Sequence, residues 1–160
     1  MEKDSPLRTR SRTFAQPMRR HKSPPASIIV VEEQDIYSAI GEEGFVRLVA
    51  AFYKQIPQDD ILGPMYAGRD LAAAERRLCD FLLFRFGGST RYIEERGHPR
   101  LRLRHNPFPI DQAARDRWMQ LMSSALRIAV LPGQAELLLK TFFEETSTFL
   151  INRQGTATLP

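Results

Sequence analysis

Between Phe45 and Ile56 the apolar residues Phe45, Leu48, Val49, Phe52 and Ile56 fall at i, i+3, i+4, i+7 and i+11. That spacing follows the turn of an α-helix and puts all five on one face. A helix with such a face gains its stability by burying it against other elements. The same period returns three times. Leu71, Ala74, Leu78, Phe81 and Leu82 form a stripe opened by Asp70 as a side-chain cap and ended by Gly87–Gly88. Ala114, Trp118, Leu121, Met122, Ala125 and Ala129 form another behind Asp111. After Pro132–Gly133, Leu138, Leu139, Phe142, Thr146, Phe149 and Leu150 form a fourth. A short helix over QDIYSAIG, stopped by Gly41, precedes them. LRLR alternates for only four residues, too few for a sheet. The predicted fold is all-α, four long helices and two short ones.

The chain of 160 residues suits one domain with a substantial core, and 42% hydrophobic residues is ordinary for a globule. No apolar run reaches the roughly 18–20 residues that span a bilayer, and no secretory signal is visible. A lone cysteine, Cys79, makes neither an internal disulfide nor a zinc–thiolate site. It reads as a small core residue in a reducing compartment, so a cytoplasmic location is expected. The net charge of +4 is misleading. Residues 1–22 carry seven basic groups against two acidic ones, which leaves the remainder at −1. Residues 1–33 read as a disordered basic tail, 34–152 as the folded domain and 153–160 as a C-terminal tail. An organelle transit peptide is the alternative for the N-terminal segment. With the basicity confined there, no specific nucleic-acid partner is expected.

Residues 89–109 contain three prolines and no long stripe. A loop of about twenty residues inside a compact domain is usually functional or holds a short helix. Within it lies RGHPRLRLRHNPF, with two histidines. His98 precedes Pro99, which pushes its backbone away from helix. His105 precedes Asn106–Pro107, so it ends a short helix. Two histidines and one poorly spaced cysteine do not make a four-ligand zinc site. One imidazole is enough only where the metal brings its other ligands in a macrocycle. On chemistry alone His105 is either such a ligand or a structural histidine, and His98 is structural. The arginines are either a solvated cluster or an anion site.

RGHPRLRLRHNPF closely resembles the loop and proximal-helix signature of the group II truncated haemoglobins. The resemblance extends through FYKQI, LAAAERRLCDFL, the glycine pair and RDRW, and covers roughly residues 34–152. It implies a two-on-two helical sandwich around one b-type haem, with a short first helix and a largely looped proximal segment. By this resemblance His105 is the iron ligand. Tyr53, Tyr66, Ala74 and Trp118 face the gas ligand, Leu78 and Phe81 wall the haem, and Arg77, Arg104 and Tyr92 reach its propionates. There are two departures. AIGEEGF is one residue shorter than the family's Ile-Gly-Gly junction, and Arg85–Phe86 replaces Tyr-Trp before the glycine pair.

The implied function is reversible binding of O2, and of CO, NO or peroxide in the same pocket. An alternative is a haem-dependent peroxidase or nitric-oxide redox enzyme fed by a separate reductase. A haem-free helical interaction protein is the third reading. The resemblance leaves a homodimer open.

Overall fold

The computed structural model describes residues 32–154. The basic N-terminal tail expected over 1–33, or a transit peptide in its place, and the C-terminal tail expected over 153–160 lie outside the described residues, save for 32–33 and 153–154. Seven helices follow in order: α1 Ile36–Tyr53, α2 Gly63–Tyr66, α3 Leu71–Arg85, α4 Arg91–Arg96, α5 Leu101–His105, α6 Gln112–Ala129 and α7 Gly133–Phe149. No strand occurs among the described residues. The four long helices are those the apolar stripes predict. α1 packs chiefly on α6 and α3, and α6 on α7, so two helix pairs enclose one core.

The expected first helix and the one after it run together as α1. Gly41 breaks the helical path between them, with φ 63° and ψ 176°. A residue with a Cβ adopts that backbone only at a cost, which is why a glycine makes the bend. Below it, Phe45, Leu48, Val49 and Phe52 are fully buried, and Ile56 continues their face from a 3₁₀ turn. Each such side chain contributes about 1.5–3 kcal/mol by leaving water.

Both predicted caps form. The Asp70 carboxylate accepts from the Ala73 N–H at 2.9 Å, and that of Asp111 accepts from the Ala114 N–H at 2.9 Å. Each satisfies an N–H that a helix start leaves unpaired. At the far end of α3, Phe86 is buried and stacks on Phe45, while the Arg85 guanidinium lies over the Phe86 and Phe142 rings and pairs with Glu33. The Arg85–Phe86 departure is therefore absorbed into core packing.

Two short helices go beyond the sequence reading. α2 starts at the end of the expected DDILGP loop, and α4 lies in the proline-rich segment ahead of α5. One stripe needs correction. Phe149 is 56% exposed, whereas Ala135, Leu139, Phe143 and Ser147 form the buried line of α7. Phe149 lies under the Arg102 guanidinium at 5.1 Å, a contact that covers its ring without taking it into the core. Cys79 is half-buried against the core, and burial, with the nearby Asp80 and Glu42 carboxylates, pushes its thiol up to about 11.

Candidate functional site

A cavity of about 400 Å³ lies among the helices, and all seven contribute to its walls. It falls in the size range of cofactor pockets. The ten residues singled out in the sequence all line it.

One wall is α5 and the turn after it. His105 sits at the last position of α5, as Pro107 demands. Its Nδ1 is 2.7 Å from the Leu101 carbonyl oxygen. A carbonyl only accepts, so Nδ1 carries the proton and Nε2 is left with a free lone pair. The Arg104 side chain holds this wall together. Its Nε donates to the Pro99 carbonyl at 2.7 Å, and Nη2 donates to those of Arg96 at 2.6 Å and His98 at 3.3 Å. Nη1 has no hydrogen-bond partner among the described residues and is the part of Arg104 free to meet an anion. His98 is exposed; its Nδ1 accepts from the Arg100 N–H at 3.3 Å, a loop-ordering role.

A second wall is aromatic. Tyr53 ends α1 and meets the Tyr66 ring edge-on at 5.9 Å. Phe52 joins Tyr53 and Trp118, 5.2 Å from each ring. Burial raises the Tyr53 phenol far above its ordinary range, and Tyr66 adds to the effect. Burial also raises Tyr66, partly offset by Tyr53 and the Arg77 charge. Both phenols are held neutral as donors. Ala74 is buried beside them and offers space but no donor. The ring neighbour of His105 is Phe108 at 6.4 Å, outside this cluster.

The Tyr66 side of the cavity is braced from below. Asp59 accepts from the Leu62 N–H at 2.7 Å, the Ile61 N–H at 3.0 Å and Arg117 at 2.7 Å. Burial works to raise its carboxyl, but these donors outweigh it and hold the group below the usual range. Arg117, the residue before Trp118, thus ties α6 to the turn that carries Tyr66.

The third wall is apolar, with Leu78, Phe81 and Leu82 of α3 facing Phe142 and Leu150, and arginines stand at its rim. Tyr92 is buried against Phe81 at 5.5 Å and Phe84 at 6.2 Å. Arg77 is exposed and has no ion pair or hydrogen bond among the described residues. Arg96 and Arg115 also line the cavity, and sequence reasoning did not single them out. Arg115 sits one turn before Trp118 and donates to Thr148 Oγ1 at 3.1 Å and the Glu144 carbonyl at 3.3 Å, locking α6 to α7. Nothing local in RDRW signals that reach. Phe142, Thr146 and Leu150 were legible as an inward stripe, but not as cavity wall.

Among the described residues no group of three or more His, Cys, Asp or Glu is placed to hold a metal ion. A single imidazole with a free Nε2, an apolar slot and arginines at its rim instead fits haem, a flat macrocycle that brings four nitrogen ligands and two carboxylates.

Comparison with known proteins agrees. The Bacterial-like globin family model matches residues 35–147. The group 2 truncated hemoglobin YjbI of Bacillus subtilis is 37% identical over 117 residues, 73% of this chain and 88% of that protein. The thermostable hemoglobin of Thermobifida fusca is 42% identical, with a TM-score of 0.70 over 73% of this chain and 96% of that one. The truncated oxygen-avid haemoglobin of Bacillus subtilis superposes with a TM-score of 0.69 at 37% identity, covering 73% and 98%. A four-long-helix fold around a one-histidine cavity, matched in sequence and structure over most of its length, makes this chain a globin of the group II truncated haemoglobin family, whose members bind haem and diatomic gases.

Proposed function

We propose that this chain binds haem b with His105 as the iron ligand and reversibly binds O2, with CO and NO as alternative occupants. The observation that carries the reading is the His105 Nδ1 bond to the Leu101 carbonyl, which leaves Nε2 aimed as a bare donor of electrons from a cavity wall. When bound, haem would supply the iron that an imidazole and a gas molecule both ligate. Leu78 and Phe81 pack the macrocycle and keep water out; Arg77 and the free Nη1 of Arg104 meet its carboxylates, and Tyr92 borders the same rim. Tyr53, Tyr66 and Trp118 offer two hydroxyls and an indole N–H to a polar diatomic ligand. In a dry pocket such donors hold partial negative charge more strongly than water does. Ala74 leaves room beside them. The oxygen-avid relative supports a pocket of this kind.

Absorption spectra of purified protein, ferrous and CO-bound, test the assignment. The wild type is expected to show a haem Soret band, and His105→Ala to lose the imidazole-ligated form. A mutant with unchanged coordination would show that His105 is the wrong ligand.

A second reading, reduction of peroxide or oxidation of nitric oxide with an external reductant, draws on the contact of Phe52 with both Tyr53 and Trp118. Tyr53 and Trp118 are oxidisable and share one packed cluster through Phe52. Turnover no faster than free haemin under saturating reductant would reject it.

A further inference from the structure

We propose that Asn152 is a positioning residue for His105, holding the turn that follows the ligand from outside the segment matched by the globin family model. The inference rests on the reading of His105 as the iron ligand.

The turn 105–110 reads His-Asn-Pro-Phe-Pro-Ile. Its two prolines supply no N–H, so the turn can make few backbone hydrogen bonds of its own. One Phe108 N–H bond to the His105 carbonyl, 3.0 Å, closes it. The Asn106 N–H reaches back to the Leu103 carbonyl at 3.4 Å, and the other bonds of the turn come from the chain just past α7. The Asn152 Nδ2 donates to the carbonyls of His105 at 3.1 Å and Phe108 at 3.0 Å. Its Oδ1 accepts from the Ile110 N–H at 3.0 Å. The backbone N–H groups of Asn152 and Arg153 both donate to the Ile110 carbonyl, at 2.9 and 3.0 Å. The Asn152 amide thus uses both donor and acceptor on three points of one short turn, an arrangement that neither Asp nor Leu reproduces.

The mechanical consequence follows from where these bonds fall. Leu101 fixes the rotation of the His105 ring, while Asn152 fixes the backbone that carries the ring. Without the second restraint, the last turn of a five-residue helix is anchored on one side only. Such a short helix has little stability of its own. Asn152 lies 47 residues from His105 and five residues beyond the end of the matched segment at 147.

The test uses the full-length haem-loaded protein and three variants: Asn152→Ala, Asn152→Asp and Leu139→Ala. The first readout is the iron–histidine stretching band in the resonance Raman spectrum of the ferrous, ligand-free form. The second is the rate of haem transfer to an excess of a haem-free acceptor globin. Asn152→Ala is expected to shift or broaden the band and to speed haem loss by roughly 10–100-fold, the usual scale for removing a group behind a metal ligand. Asn152→Asp keeps the acceptor for Ile110 but turns a carboxylate toward two carbonyls, and is expected to be no better than alanine. Leu139→Ala loses stability in the buried core and is expected to leave the band where it was. A wild-type band that Asn152→Ala does not move, or that Leu139→Ala moves equally, overturns the inference alone. A wild-type protein with no iron–histidine band overturns the His105 assignment and the inference with it.

Discussion

Tyr53 shows how much a single side chain carries. It is 6% exposed, meets the Tyr66 ring edge-on and lines the cavity, where the proposed function has it meet the gas ligand. Replacing it with phenylalanine keeps the ring and its edge-on contact with Phe52 but removes one donor. A hydrogen bond to a charged acceptor contributes roughly 1.5–3 kcal/mol. Tyr53→Phe is therefore expected to speed O2 release by about one to two decades, read by stopped-flow displacement. The same variant has a signature without haem. The folded protein keeps this phenol protonated well past its ordinary value of 10.0. Stability is full below pH 10 and falls above it, because the unfolded chain releases the proton first, at up to about 1.4 kcal/mol per pH unit. Denaturant melts on either side of pH 10 should show that alkaline loss in the wild type and a smaller one in Tyr53→Phe. His105 teaches a related lesson. Its chain neighbours give its place at a helix end, but the proton on Nδ1 depends on a carbonyl four residues back that only the helical turn brings within reach.

At the scale of elements, the joint between α6 and α7 stands out. Val130 follows α6 with φ 49° and ψ 68°, the left-handed region that β-branched residues avoid, and it is 80% exposed. Its side chain therefore has little packing to offset a strain of about 1–2 kcal/mol. Val130→Asn is expected to raise stability by about 1 kcal/mol, measurable by thermal or urea unfolding with no change in haem spectrum. The loops around the cavity are built differently. The turn into α2 is organised by Asp59 and Arg117, 58 residues apart, and the turn out of α5 by Asn152. These segments lack an apolar stripe, so the period that reveals the long helices is silent about α2 and α4. The DDILGP punctuation marks a turn, and the four-residue helix begins on its last two residues and runs on through Met65 and Tyr66.

Taken whole, the molecule is two helix pairs held apart enough to leave a cavity that every helix lines. Leu82 and Phe143 face both the core and that cavity. Filling it should therefore stabilise the entire fold. Haem in a hundredfold excess over its dissociation constant is expected to add about 2.7 kcal/mol, seen as a higher unfolding midpoint in calorimetry. The gain should shrink in His105→Ala. No described helix is long and apolar enough to cross a membrane.

The sequence by itself determined the helical class, the four long elements, the caps of α3 and α6 and a break in the helical path at Gly41, because periodicity, capping side chains and glycine act over one or two turns. It also contained the ten residues that meet in the cavity, recognisable through a family resemblance that no single spacing carries. Tertiary structure decided the rest. The exposure of Phe149, the reach of Arg115 to α7, the bracing of the Tyr66 turn by Arg117 and the hold of Asn152 on the His105 turn all join residues far apart in the chain. Such contacts depend on which helix faces meet, and that is set only when the whole core packs.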